Sequence, residues 1–239
     1  MMEVNETVAL RDNLPEKIWL PAAGSSKSEQ INGLLLTSVG FSGGLLLARM
    51  VYTGRLTFVF LVWNLFLATV PYFFSLRLMK NPAWAASRWK FPLVFTAWVL
   101  FIPNSFYILT DLFHLFDSNA VPLWYDLLLI VSFAWNALVM GILSVRHIEK
   151  IIAARWPGLP GWAFLYPVMG LNALGVYIGR YLRFNSWDVV SDPFRLAADI
   201  VHIILHPVHY KQAWGMIVCF SFFLSILYTT VKKLGRAGL

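Results

Sequence analysis

Six apolar runs, each about twenty residues or longer, constrain this chain more than any other feature. They cover roughly residues 31–51, 56–79, 91–112, 122–146, 161–183 and 211–231. A stretch of about 20 apolar residues, wound as an α-helix, crosses the ~30 Å hydrocarbon layer of a bilayer. In that layer every backbone N–H and C=O must be satisfied within the protein, which leaves helices and closed barrels as the spanning structures. Runs of this length select helices. The expected fold is therefore all-α, a polytopic bundle of about six transmembrane helices.

Composition agrees. Of 239 residues, 59% are hydrophobic and 13% charged, about half the charge of an ordinary soluble domain. Eleven tryptophans suit the aromatic belts at membrane interfaces. The single cysteine, Cys219, excludes an intrachain disulfide and a thiolate metal cluster. The first thirty residues are polar, carry Pro15 and Pro21, and lack the regions of a signal peptide. Insertion is expected to rely on the first span. Three segments follow: a cytoplasmic N-terminal stretch 1–30, a membrane domain 31–232, and a tail 233–239. Gly40 with Gly44, and Gly175 with Gly179, have the four-residue spacing that permits close helix packing.

The net charge of +7 is explained by topology. Thirteen of the 19 Lys and Arg lie in the two tails and the loops near 77–90 and 146–160, and six lie on the other side. Lysine and arginine concentrate in cytoplasmic loops, so both termini are expected in the cytoplasm. With the acids included, the inner side carries the whole positive excess, and no nucleic-acid partner is required. Six aspartates and four of the five histidines fall on the outer side. Ionisable groups at or within a membrane are expensive and tend to line sites, so the chemistry is expected to face outward.

Three polar constellations stand there. At the end of the third span, Pro103 removes a helix hydrogen bond and introduces a kink. Beyond it Asn104, Tyr107, Asp111 and His114 recur at i, i+3, i+7 and i+10, a single α-helical stripe. These four are the candidate catalytic residues, with Asp111 positioned to orient His114 for base work or metal binding. The alternative is a polar seam between helices. At the end of the fifth span, Arg180 and Arg183 are candidate anion ligands, because paired guanidiniums suit phosphate or carboxylate. Asp126, Asn185 and Asp188 are the supporting residues. The competing account is snorkelling to lipid headgroups or neutralisation by Asp126 and Asp188.

The third constellation follows Asp192, which caps a helix with Pro193 at its first position. Arg195, Asp199, His202 and His206 line one face of this segment, about 193–206, which is too short to span and reads as an amphipathic interfacial helix. Asp199, His202 and His206 have spacing workable for a divalent metal such as zinc, though a wet helix face has the same pattern. Tyr125, Ser132 and Asn136 share a face of the fourth span, and Asn64 and Asn172 lie within spans, where amides commonly join helices. No phosphate-binding glycine loop or serine-nucleophile elbow is present.

Four segments carry a resemblance. Pro103-Asn104 with Tyr107 to Leu112, Trp124-Tyr125-Asp126, Gly175 to Arg180 with Arg183 to Asp188, and His206-Pro207 occur in this order. Together they resemble a bacterial multi-pass membrane family, domain of unknown function 1361, over roughly residues 55–232. The resemblance implies a bacterial inner-membrane protein and no particular activity. An outward polar pocket built from spans three, four and five and the 193–206 helix is expected. One function class is an intramembrane enzyme acting on a lipid or lipid-linked headgroup at the outer leaflet. The other is a binding or transport subunit for a small anionic solute. A structural membrane partner is the third.

Overall fold

The computed structural model describes residues 26–117, 119–184 and 191–237, with only the backbone given for 26–29 and 236. Its described residues form helices and no strand. Six of the helices are long and apolar enough to cross a membrane: Gln30–Thr53, Phe60–Lys80, Lys90–Phe116, Leu123–Arg155, Gly161–Tyr181 and Lys211–Gly235. The expected spans are all present. The protein is a polytopic helical membrane protein.

The chain forms two compact units, residues 1–160 and 161–239. In the first, the fourth span packs against the first three. Two-thirds of its apolar stretch is buried, against a third or less for the first, second and third, so it is the hub. At 33 residues it is about 50 Å long, well beyond the hydrocarbon thickness. The sequence reading ends this span near 146, because Arg146, Lys150 and Arg155 look like loop residues. The helix instead continues to Arg155, whose Nη1 donates to Ala85 O at 2.7 Å. That bond ties it to the short helix Pro82–Ala86.

Small side chains and interior prolines set the packing here. Pro71 lies inside the second span, where it interrupts the backbone ladder. Ser105 Oγ donates to Ala68 O at 2.8 Å, and Ser144 Oγ donates to Pro71 O at 2.9 Å. Trp98 Nε1 donates in turn to Ser144 Oγ at 2.7 Å. These buried bonds join the second, third and fourth spans across the interrupted turn. Close approach is enforced at Gly141, where an added Cβ would lie 2.7 Å from Ser105 Cβ and 3.3 Å from Phe106 Cζ. Gly40 and Gly44 behave differently from the expectation. An added Cβ at either meets nothing within 4 Å, so within the chain neither marks a tight helix contact.

In the second unit, the helix Pro193–Leu205 has the expected start: Pro193 at its first turn and the Asp192 carboxylate accepting from Arg195 N–H. Ile203 is buried with Ala173 and Ile217 of the fifth and sixth spans, and Trp214 Nε1 donates to Ile203 O at 2.9 Å. Phe194, Val201, Ile204, Leu205 and Val208 remain exposed. Such a helix, one edge docked and one apolar face open, suits the bilayer interface.

Candidate functional site

The polar residues of the first unit gather at one membrane face. Arg49 lies four residues from the end of the first span, Asn64 in the second turn of the second, Asp111 near the end of the third, and Asp126 in the first turn of the fourth. Successive spans alternate in direction, so all four positions belong to the same face.

Arg49 and Asp126 form a forked ion pair. Nε donates to Oδ1 at 2.6 Å and Nη2 to Oδ2 at 3.1 Å, and the side chains are 0% and 1% exposed. The guanidinium also lies over the Phe58 ring, 4.4 Å from its centroid, a contact worth about 0.5–2 kcal/mol. Phe58 belongs to the core with Leu46, Leu61, Leu129 and Phe133. Two opposite charges here stand inside an apolar cluster. Asp126 is therefore Arg49's partner.

The third span ends unusually. From Lys90 to Tyr107 it is α-helical; from Ile108 to Phe116 it is a nine-residue 3-10 helix. Runs of more than three or four residues in this form are uncommon. The change of period corrects the expected α-helical stripe. In a 3-10 helix residues three apart eclipse one another, so Ile108, Asp111 and His114 align, while Tyr107 aligns with Thr110 and Phe113. Asn104 Nδ2 donates to Phe101 O of its own helix at 2.9 Å. The Ile108 row climbs from core to surface: Ile108 is 0% and Asp111 1% exposed, and the His114 side chain is 32% exposed.

Asp111 accepts a 2.8 Å hydrogen bond from Asn64 Nδ2, a pairing of the second and third spans that spacing along one helix does not reveal. His114 Nδ1 meets Asp117 Oδ2 at 2.5 Å, with Asp117 half exposed. His114 thus has Asp117 as a carboxylate partner, where the sequence led to the expectation of Asp111. Phe60 packs edge-on against His114, with centroids 5.0 Å apart, and touches Phe58 at 6.0 Å. A two-ring bridge therefore connects the surface pair, His114–Asp117, to the buried pair, Arg49–Asp126.

The other amides and hydroxyls are packing groups. Tyr125 Oη donates to Leu45 O at 2.8 Å and Asn136 Nδ2 to Ser42 Oγ at 2.9 Å, fastening the fourth span to the first. Ser132 Oγ bonds Leu129 O, and Asn172 Nδ2 bonds Val168 O, both within their own helices.

In the second unit Arg180 lies in the last turn of the fifth span. Arg183 is exposed and has φ +58°, a left-handed conformation that disfavours a residue with Cβ by about 1–2 kcal/mol. Phe184 N–H reaches back to Ile178 O at 3.4 Å, and Arg195 lies over the Phe184 ring at 5.6 Å. Asn185 and Asp188 lie outside the described residues. His202 and His206 stack with centroids 5.1 Å apart, and His206 Nδ1 is 3.2 Å from His202 O. Among the described residues no three His, Cys, Asp or Glu side chains converge to hold a metal ion, so Asp199, His202 and His206 are not assembled as a three-ligand set.

The family model described as Protein of unknown function (DUF1361) matches residues 63–227. The chain belongs to this family. The match to the DUF1361 model begins one residue before Asn64 and takes in Asp111, His114, Asp117 and Asp126, while Arg49 lies ahead of it. No curated protein and no solved structure matches the chain. The DUF1361 model carries no activity.

Proposed function

We propose that the protein is a membrane enzyme that acts on the polar end of a lipid or lipid-linked substrate. His114 is its acid–base group, and Asp117 holds the ring through Nδ1. The observation that carries the reading is the 2.5 Å His114–Asp117 contact at the surface end of an extended 3-10 helix. A carboxylate on one imidazole nitrogen fixes the tautomer and orientation, leaving the other nitrogen to exchange a proton with substrate. The ring is partly exposed yet anchored to an apolar core through Phe60 and Phe58, which suits a substrate presented from the bilayer.

The test is a comparison of lipid extracts by mass spectrometry. A deletion strain should accumulate or lose a lipid species, the wild-type gene should restore it, and a correctly inserted His114→Ala variant should not. An unchanged lipid profile in the deletion strain would sink the enzyme reading. It would favour the binding or transport subunit for a small anionic solute, for which the exposed, left-handed Arg183 beside Arg180 is the supporting feature. In either reading Arg180 and Arg183 hold an anionic group at the end of the fifth span.

The reading also sets the chain in a bacterial inner membrane with both termini cytoplasmic and the His114 face at the outer leaflet. The uneven distribution of Lys and Arg supports this orientation. Single-cysteine labelling in a Cys219→Ser background checks it. A cysteine at Asn119, which is exposed, should react with an impermeant maleimide added outside intact cells. Reaction only after the cytoplasmic side is opened would reverse the orientation.

A further inference from the structure

At the same face of the first unit as the Arg49–Asp126 and His114–Asp117 pairs lies a cavity of about 400 Å³ lined by Tyr52, Thr53, Arg55, Asn119 and Ala120. We propose that this cup receives the phosphate of a phospholipid headgroup of net negative charge, with Arg55 as its cationic ligand. The proposal deepens the enzyme reading by naming its substrate class and rests on that reading for its link to catalysis.

The loop is built to present Arg55. The first span closes at Gly54, which takes φ +65°, a conformation natural to glycine, while its N–H bonds Met50 O at 2.9 Å. Thr53 Oγ1 donates to Arg49 O at 2.8 Å and accepts from Arg55 N–H at 3.2 Å. One hydroxyl thus fastens the turn to the helix below and fixes the backbone of Arg55 above it. The cup stands one helical turn beyond Arg49, and Asn119 comes two residues after Asp117. Its walls therefore continue directly from both charged pairs of the candidate site.

Size and surroundings favour a lipid. A volume of 400 Å³ lies within the range of small-molecule sites, roughly 300–1,000 Å³. Arginine offers a planar fork of donors matched to phosphate oxygens, and Tyr52 and Asn119 add polar groups around it. Tyr52 of the lining is 79% exposed, and its chain neighbours Val51 and Leu56 are 78% and 66% exposed, apolar surface fit for acyl chains. A free phosphate would use the arginine without that surface, whereas a phospholipid uses both.

The full-length protein in phosphatidylcholine nanodiscs, with and without phosphatidylglycerol, tests the proposal by native mass spectrometry of retained lipid. Wild type should retain phosphatidylglycerol. Arg55→Gln should weaken that retention about tenfold, as expected for one lost charge-assisted contact, and Arg55→Glu should abolish it. Retention unaltered in both Arg55 variants overturns the cup. Binding of sn-glycerol 3-phosphate in phosphatidylcholine nanodiscs as tight as that of phosphatidylglycerol overturns the lipid as occupant in favour of a free phosphate ester. Arg55-dependent retention alongside an unchanged cellular lipid profile upholds the cup and removes the enzyme reading, so the two fail separately.

Discussion

Replacing either Arg49 or Asp126 alone should destabilise the protein by about 3–5 kcal/mol, because each change leaves a charge buried without its counter-ion. The two side chains are 0% and 1% exposed and share two hydrogen bonds, so water cannot rescue the survivor. Arg49→Met and Asp126→Leu, made singly, should each lower the midpoint of unfolding in detergent, followed by tryptophan fluorescence. The double variant should recover most of the loss, since an apolar pair of similar volume avoids the cost of desolvating two ions. A double-mutant cycle isolates this coupling from the separate contact of Arg49 with Phe58. Single variants that lose less than about 1 kcal/mol, the range of solvated surface pairs, would show that the pair is hydrated and contradict the buried geometry.

Arg49 also shows where the amino-acid sequence stops being informative. Its six apolar runs are legible because bilayer thickness imposes a length that no other pattern satisfies, and all six appear as helices. Arg49 stands near the end of such a run, where it reads as one more basic residue of a loop. Yet on the orientation expected from the sequence it lies, like Arg180 and Arg183, on the side where lysine and arginine are not concentrated. Its partner Asp126 is 77 positions away, and only folding identifies that contact. The pairing of Asn64 with Asp111 is hidden for the same reason.

The end of the third span is hidden by a different cause. Polar residues three apart fit an α-helix and a 3-10 helix equally well, so the spacing of Asp111 and His114 cannot choose between them. The 3-10 form carries the register on to Asp117, which an α-helical reading leaves in the following loop. Gly40 and Gly44 illustrate the converse. Their spacing permits close helix packing, but permission is not a contact, and the close approach in the first unit comes at Gly141 through Ser105 and Phe106.

The largest effect on activity should come from His114, and Asp117 should act through it. Removing a positioned acid–base group lowers turnover by about 10²–10⁴-fold, so His114→Ala should leave the lipid conversion near the level of the deletion strain. Asp117→Asn keeps the shape of the side chain but removes the charge that orients the ring. A loss of about 10–100-fold is expected, as for other carboxylates that hold a functional histidine. Because one residue works through the other, the double variant should be no worse than His114→Ala. Both residues are partly exposed, so neither change should disturb folding. Asp111 provides the contrast: it is 1% exposed and accepts a hydrogen bond from Asn64 of the second span, so Asp111→Leu should appear mainly as lost stability. Unfolding midpoints and lipid conversion measured on the same preparations separate the two roles. Additive, mild losses from His114→Ala and Asp117→Asn would reduce the pair to a surface contact and take catalysis away from this end of the third span.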